Sequence, residues 1–328
     1  MFTDYIIVDS VLVGYLVLNS NAAMREQVKV GNKIVYKTFV RSFIETITYL
    51  RKKFFDPEKQ GEVILLFDNY ESREQIRQLL KPLKEHESRK RINPEYKAQR
   101  RAEKQNFYNS LDIIRYYYDV ADPSYHTAHI PNLEADDLVK PCIEYLRKKK
   151  PKCQILLVTN DSDWSRYIEK NTLWLPELYG EPKGVREFAQ KFGFDPSEEA
   201  IVLNKVIYGD EADNIKCVFP EFNGFTRKFI CQTFASVADF MFSAHSHVET
   251  KDHVPLIKER EQQIRSAYQM LATIPVTKKH FEAVFVTGRN STVIQENLRR
   301  VFFDQTEKKE ESGFEFGVAM PRHDPKGE

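Results

Sequence analysis

Three apolar runs in the sequence each end on acidic residues, and this feature limits the possible folds more than any other. The runs with their acids are Tyr5-Ile6-Ile7-Val8-Asp9, Val63-Ile64-Leu65-Leu66-Phe67-Asp68 and Ile155-Leu156-Leu157-Val158, the last followed by Thr159-Asn160-Asp161-Ser162-Asp163. Continuous apolar runs of this length are typical of strands that are buried on both faces of a parallel sheet. The carboxyl ends of parallel strands lie at one edge, where open α/β sheets bind ligands. We therefore expect these acids to meet at one edge of a sheet.

A helix is predicted between the first two of these strands. Residues Thr38 to Phe55 carry Phe39, Phe43, Ile47 and Leu50 at three-to-four spacing, which is typical of an amphipathic helix facing a core. Strand, helix and strand in succession form a βαβ unit, whose two strands are parallel. The sequence thus predicts an α/β protein with a central, mostly parallel sheet flanked by helices.

A further acid cluster lies at the start of a predicted helix. In the segment 132–138, acids occupy three of four positions, Glu134, Asp136 and Asp137, and the helix is expected to reach about Lys148. The helix dipole and capping favour acids in a first turn, but three exceed what they need. Glu134 and Asp137 are three residues apart and share a face. The segment 207–215 repeats this spacing in a second cluster, which consists of Asp210 and Asp213 after a glycine, Gly209, that allows close backbone approach.

Single acids of this set have structural explanations as well. Asp163 would cap a helix expected over Trp164 to Lys170, and a lone aspartate at a strand end, such as Asp9, is common in turns. A fold that gathers several carboxylates at one edge must, however, neutralise them with metal ions or protons. The recurrence of acid clusters therefore favours a functional site over isolated caps.

A strongly basic segment interrupts the apolar pattern. Residues 81–104 hold nine Lys or Arg against four Glu and few large apolar side chains. The segment is either a solvated charged helix or an arm that contacts phosphates, with Tyr96 available to stack on a base. The helical pattern then resumes through Phe107, Leu111, Ile114 and Tyr118.

Composition excludes several other classes. The 328 residues are 41% hydrophobic, enough for a sizeable core, and their net charge is +1, so nucleic-acid affinity would need locally segregated charge. No run approaches the about 20 apolar residues of a membrane span, and no basic leader precedes the first strand. The four cysteines have no CxxC spacing, so neither a zinc site nor a disulfide framework is indicated. We expect a soluble, cytoplasmic protein.

Taken together, these motifs resemble the 5′ nuclease family in order and spacing, over roughly residues 1 to 230. That family comprises flap endonucleases, the 5′-3′ exonuclease domains of bacterial DNA polymerases and phage 5′ nucleases, also called phage ribonuclease H. The compact length is most similar to the free-standing phage or bacterial members, in bacterial or phage-infected host cytoplasm. The matching elements are Asp9, Phe67-Asp68, Tyr96-Lys97-x-x-Arg100, Glu134-Ala135-Asp136-Asp137, Thr159-Asn160-Asp161-Ser162-Asp163 and Gly209-Asp210-Glu211-Ala212-Asp213-Asn214-Ile215.

The resemblance implies a PIN-like nuclease core and a metal-dependent phosphodiesterase. The expected activities are 5′-3′ exonuclease and flap endonuclease on DNA and RNA-DNA duplexes, removing RNA primers or flaps during replication. Two Mg²⁺ ions, for which Mn²⁺ can substitute, would serve as cofactors. One ion would be held by Asp9, Asp68, Glu134, Asp136 and Asp137, and the other by Asp161, Asp163, Asp210 and Asp213.

By the same resemblance, the basic segment becomes a helical arch that passes the 5′ single strand. Lys97 and Arg100 would act in catalysis at the scissile phosphate, and Tyr96 would stack on a terminal base. The nucleic-acid contacts of this segment would come from Arg91, Tyr96, Lys97, Arg100, Arg101 and Lys104.

The chain departs from the family pattern after the last acid motif. Of the expected Gly-rich helix-hairpin-helix, only Gly224 remains. The start of a following helix, Thr226, Arg227 and Lys228, could still bind phosphate through amides and charge, but a K⁺ site here is left open. The expected divisions are a nuclease core over 1–215 with the arch at about 81–105, a helical duplex-binding portion over 216–304, and a disordered tail over 305–328.

The C-terminal part yields weaker signals. Residues Val254 to Leu271 place Ile257, Ile264 and Leu271 at heptad spacing, which favours a packing stripe over a zipper for a partner. Phe314, Phe316, Val318 and Met320 alternate in the tail and could dock on a replication partner, such as a single-strand-binding protein or clamp. We expect a monomer that binds flap, nicked or RNA-primed DNA. Two alternatives remain, a PIN-type ribonuclease and a non-catalytic nucleic-acid-binding scaffold.

Overall fold

The structure is a computed structural model that describes residues 2–68, 105–130, 133–272 and 276–303. The predicted arch residues Arg91, Tyr96, Lys97, Arg100, Arg101 and Lys104 lie outside the described residues, as does the tail. Eight strands are described: β1 (Tyr5–Asp9), β2 (Gln27–Val30), β3 (Lys33–Tyr36), β4 (Glu62–Leu66), β5 (Tyr125–Ala128), β6 (Ile155–Val158), β7 (Thr172–Leu175) and β8 (Val286–Thr287).

Helices connect and cover these strands. In the first part of the chain they are α1 (Ser10–Asn19), α2 (Lys37–Phe54), α3 (Gln105–Asp119), α4 (Ala135–Lys149), α5 (Val185–Phe192) and α6 (Glu198–Tyr208). The later ones are α7 (Gly224–Thr233), α8 (Val237–Ser243), α9 (Val254–Glu259), α10 (Glu261–Leu271), α11 (Lys278–Val284) and α12 (Thr292–Phe303). Within the described ranges, no helix is long and apolar enough to cross a membrane.

The central sheet has six strands in the order β7-β6-β1-β4-β5-β8. Strands β7, β6, β1, β4 and β5 pair in parallel, and only the short edge strand β8 is antiparallel. Asp9 lies opposite Leu66 in the register, and Val8 lies opposite Val158. The acids at the ends of β1, β4 and β6 therefore lie at the same edge of the sheet. This confirms the prediction of a mostly parallel sheet with acids at its carboxyl end.

Alternation along the strands explains the layering. Ile6, Val8 and Leu65 point into a core that α1, α2, α3 and α12 cover, while Ile7 and Leu66 point into one covered by α4 and α11. Successive strand residues face opposite sides, so apolar runs without alternation are what a sheet buried on both faces requires.

The predicted amphipathic helices form close to their expected positions. The predicted helix Thr38 to Phe55 is α2 (Lys37–Phe54), and its predicted stripe of Phe39, Phe43, Ile47 and Leu50 is buried. The pattern through Phe107 to Tyr118 corresponds to α3.

The C-terminal part contains its own core and then returns to the sheet. Side chains such as Val206, Phe219, Phe240 and Ile264 from α6 to α10 form a separate apolar cluster. Further on, α11 packs against α4, α12 packs against α2, and β8 pairs with β5. The expected division at residue 215 stays a prediction.

The segment Val254 to Leu271, where the packing stripe was predicted, is divided in the structure. It is two helices, α9 and α10, that meet at Arg260. The guanidinium of Arg260 donates to the carbonyl of Val218 at 2.5 Å and pairs with Glu221. The stripe of Ile257, Ile264 and Leu271 is nevertheless buried, as its spacing predicted.

Candidate active site

Asp9 occupies the end of β1 and the first position of the acid edge. One carboxylate oxygen accepts a hydrogen bond from the backbone N–H of Leu12 at 3.0 Å and so caps α1, and the other accepts from the hydroxyl of Thr159 at 3.1 Å. The side chain is 6% exposed. The buried strand end thus presents a carboxylate that is also tied to the loop after β6.

Asp68 links the loop after β4 to the start of α4. Its carboxylate accepts from the backbone N–H of Ala135 at 2.8 Å, in the first turn of the helix. Within that turn, Asp137 accepts from the backbone N–H of Glu134 at 3.3 Å. The helix begins at Ala135, with Glu134 as its N-cap, and ends at Lys149, close to the predicted end. The dipole of α4 therefore adds positive potential where these acids gather.

The predicted helix Trp164 to Lys170 was wrong. A short 3-10 helix over Ser162–Tyr167 takes its place, and Asp161, not Asp163, caps it by accepting from the N–H of Asp163 at 2.9 Å. The chain then turns into β7, and Arg166 holds the turn because its Nε donates to the carbonyl of Asp163 at 2.8 Å.

Two tryptophan side chains donate hydrogen bonds at this loop. The indole nitrogen of Trp164 donates to Asp136 at 2.7 Å, and that of Trp174 donates to the carbonyl of Thr159 at 2.7 Å. Both rings are buried. The first bond joins the acid cluster of α4 to the loop after β6.

Asp210 and Asp213 lie in a tight turn after α6. Asp210 and Ile215 pair through two backbone hydrogen bonds of 2.8 Å, and the N–H of Asp213 points back to Asp210. Gly209 has φ +80°, and a Cβ there would lie 2.5 Å from the backbone nitrogen of Cys217. Only glycine fits this position, as its place before the acids suggested.

Sequence reasoning missed Lys205, although it lies among the predicted acids. The ammonium of Lys205 contacts Asp163 and lies 2.5 Å from Asp210, and only 11% of its side chain is exposed. One sequence feature could have indicated this role for Lys205. It is the only basic residue of α6, and it lies on a mostly apolar stretch five residues before Asp210.

Arg166 was missed as well. Its guanidinium lies 3.3 Å from Asp163, and its side chain is 3% exposed. Two buried cations therefore contact Asp163, one from the loop after β6 and one from α6.

The electrostatics support the proximity of the acids. Burial raises the pKa of Asp9 well above its usual range, and the carboxylates of Asp136, Asp68 and Asp161 raise it further. Burial together with Asp163 and Asp136 raises the pKa of Asp161 to about 7, even though Lys205 acts to lower it. Burial would lower the pKa of Lys205, but Asp163, Asp161 and Asp210 outweigh it and the pKa is raised. The strand-end acids thus belong to one electrostatic cluster.

The donor set suits a hard divalent cation. Carboxylates that repel one another gain most from an ion that prefers oxygen ligands, and Mg²⁺ needs only one or two direct carboxylates because it keeps several waters. In the described part of the chain, no three His, Cys, Asp or Glu side chains are arranged to hold an ion directly. The assignment of all nine acids to two ions stays a prediction.

The three residues of α7 that were predicted to contact phosphate differ in their exposure and in their contacts. Thr226 is buried and its N–H donates to Asn223, which caps the helix. Arg227 lies over the ring of Tyr208, 4.0 Å from its centroid, and donates to the carbonyl of Phe219 at 3.3 Å. Lys228 is exposed. Of the three residues, only Lys228 is exposed.

Comparison with known protein families gives a match to the central part of this fold. Residues 31–193 match the model of the 5′-3′ exonuclease N-terminal, resolvase-like domain. This segment, just under half of the chain, is therefore similar to a 5′-3′ exonuclease N-terminal domain. The domain includes six of the predicted acids, Asp68, Glu134, Asp136, Asp137, Asp161 and Asp163, and leaves Asp9, Asp210 and Asp213 outside.

Solved structures share the fold over nearly the whole chain. The zinc-bound T5 5′-exonuclease of bacteriophage T5 has a TM-score of 0.60 and 18% identity, with 90% of this chain and 97% of that chain covered. The bacteriophage T5 flap endonuclease in complex with DNA and metal ions has a TM-score of 0.58 and 18% identity, with 90% and 96% covered. No curated protein sequence matches the chain. The 5′-3′ exonuclease domain and its C-terminal helices thus adopt the phage 5′ nuclease fold.

Proposed function

We propose that the protein is a metal-dependent 5′-3′ exonuclease and structure-specific flap endonuclease that acts on DNA and RNA-DNA duplexes. The observation that carries the proposal is the convergence of buried and half-buried acids from β1, from the loops after β4 and β6 and from the start of α4 at one edge of the central sheet. Burial and the neighbouring carboxylates raise the pKa of Asp9 and Asp161, so a cation at this edge would stabilise the charged acids. Removal of RNA primers or flaps during replication is the expected role.

The carboxylates divide by their place in the fold. Asp9, Asp68 and the acids at the start of α4 would hold one divalent ion, and Asp161, Asp163, Asp210 and Asp213 a second. Mg²⁺ is the expected ion, with Mn²⁺ as a substitute. When bound, the ions would activate a water molecule and stabilise the leaving 3′ oxygen of an in-line displacement. The described contacts to Leu12, Thr159, Ala135 and Trp164 orient the acids for this task.

Substrate handling would fall to two other regions. Lys97 and Arg100 of the basic segment would contact the scissile phosphate and stabilise developing charge, with Tyr96 stacking on the terminal base. The helices α6 to α10, with Lys228 exposed at α7, would hold the duplex. This helical portion favours the flap nuclease over the PIN-type ribonuclease alternative, which would lack it.

Cleavage of defined substrates tests the proposal. Labelled flap, nicked, blunt and RNA-primed duplexes are incubated with and without Mg²⁺, with wild-type protein, Asp163→Asn and the exposed control Asp252→Asn. We expect Mg²⁺-dependent release from the 5′ end by wild type and Asp252→Asn, and a loss of orders of magnitude in Asp163→Asn with flap binding within a few-fold. Metal-independent cleavage, or full activity of Asp163→Asn, would contradict it. Binding without cleavage of any substrate by wild type would favour the scaffold alternative.

A further inference from the structure

The ammonium of Lys205 lies between two carboxylates that come from different parts of the chain. It contacts Asp163, in the loop after β6, and Asp210, in the turn after α6, the latter at 2.5 Å. All three side chains are nearly buried, 11% exposed for Lys205 and 12% for each acid. A single positive charge therefore bridges two acids that would otherwise repel each other at close range.

The two cations that contact Asp163 are held in different ways. Arg166 is anchored to the backbone, since its Nε donates to the carbonyl of Asp163 at 2.8 Å and its NH1 donates to the carbonyl of Leu271 at 3.4 Å. The contacts of the Lys205 ammonium are with carboxylates, at the end of a flexible four-carbon stem. Arg166 is thus fixed to the backbone of the turn, whereas the contacts that the described residues make with the Lys205 ammonium come from the side chains of Asp163 and Asp210.

The place between Asp163 and Asp210 is also where the second ion of the proposed function would need oxygen ligands. An ammonium and a divalent ion repel each other strongly at the few ångströms that separate neighbours in a low-dielectric site. They compete for the same two carboxylates.

We propose that Lys205 is an internal counter-ion that holds Asp163 and Asp210 together in the metal-free protein and yields them when a divalent ion binds. This inference rests on the proposed function, because it concerns the same acids. In the metal-free state the lysine keeps the turn after α6 joined to the sheet edge. It thereby preorganises the acids and at the same time weakens their affinity for metal.

Lys205→Met tests this, because methionine has a similar length and no charge. Lys140→Met is the matched control. Lys140 pairs at 2.8 Å with Glu198, which lies at the start of α6, the helix that carries Lys205, and this pair lies outside the acid cluster. Thermal unfolding of the full chain is followed in EDTA and in Mg²⁺ or Mn²⁺, and metal binding is measured by calorimetry without nucleic acid. We expect Lys205→Met to unfold at a lower temperature in EDTA, to recover most of this loss in metal, and to bind the ion roughly tenfold more tightly.

Other outcomes would overturn the inference. An equal loss of melting temperature in EDTA and in metal would make Lys205 a permanent structural partner, and weaker metal binding by Lys205→Met would make it a support for the ion. If Lys205→Met fails to fold, Lys205→Arg decides, because a planar guanidinium grips carboxylates more firmly. Reduced metal affinity is expected there, and unchanged affinity would overturn the inference. If metal does not change the melting temperature of the wild-type protein, the proposed function itself is contradicted.

Discussion

Trp164 and Asp136 form a hydrogen bond of 2.7 Å between two acid motifs that are far apart along the chain. The indole belongs to the 3-10 helix after β6, and the carboxylate to the first turn of α4. Because Trp164 is buried, its indole is held in place and orients the Asp136 carboxylate. Partners of this kind behind metal ligands affect metal affinity without touching the ion.

Trp164→Phe is expected to lower divalent-metal affinity and cleavage by about 10- to 100-fold, the range found when such outer partners are lost. Phenylalanine keeps most of the ring packing but cannot donate to Asp136. Calorimetric metal titration and single-turnover cleavage measure the effect. Trp174→Phe is the control, because Trp174 donates to the carbonyl of Thr159 rather than to an acid; equal losses in both variants would point to packing alone.

The pKa of Asp161 makes the metal-free protein sensitive to pH. Its pKa in the folded state is raised to about 7, above that of the unfolded chain, so the folded state holds the proton more tightly. The stabilising contribution is full below the unfolded pKa and is lost as pH rises through about 7. In EDTA, the melting temperature of wild type relative to Asp161→Asn should therefore fall between about pH 4 and pH 7. In saturating Mg²⁺ this fall should disappear, and a pH-independent difference in EDTA would contradict the prediction.

Gly209→Ala should destabilise the turn that carries Asp210 and Asp213. Alanine at φ +80° is strained, and its Cβ would lie 2.5 Å from the nitrogen of Cys217. We expect a loss of at least about 2 kcal/mol in the free energy of unfolding, measured by denaturant titration. Gly224→Ala is the matched control, since a Cβ there meets nothing within 4 Å. A loss of similar size at both positions would show that glycine replacement itself, not this turn, is responsible.

Lys97 and Lys104 should differ if the basic segment acts at the scissile phosphate. Only Lys97 matches the family position that reaches this phosphate, where one preorganised donor contributes about 2.7–4 kcal/mol to the barrier. Lys97→Ala should reduce kcat by roughly a hundredfold or more. Lys104→Ala should mainly weaken binding and flatten its salt dependence by about one ion. Single-turnover kinetics on a flap substrate at saturating enzyme separate the two, and wild-type rates in both variants would remove the arch assignment.

Much of the fold could be predicted because its signals are local. The apolar runs of β1, β4 and β6, the stripe of α2 and the acids at the start of α4 each reflect burial and spacing within a few residues. Strand direction followed from the intervening helices. The positions of the acids at the sheet edge therefore came from the sequence, whereas their roles as metal ligands stay predictions.

The errors arose where distant contacts override local pattern. The segment after Asp161 is a short 3-10 helix. There Trp164 donates a hydrogen bond to Asp136, and Arg166 donates to the carbonyls of Asp163 and Leu271. At Arg260, where α9 and α10 meet, the contacts to Val218 and Glu221 also come from a distant part of the chain. Helical periodicity along one segment carries no information about such partners.

The sequence by itself determined the parallel sheet, the acids at the ends of its strands and the glycine that turns the chain before Asp210. Only the tertiary structure decided that Lys205 neutralises Asp163 and Asp210, that Trp164 orients Asp136, and that β8 completes the sheet. Hydrophobic burial and turn chemistry depend on neighbours along the chain. Which buried cation meets which carboxylate depends instead on how α6 is placed against the sheet edge, and that placement depends on the packing of the whole domain.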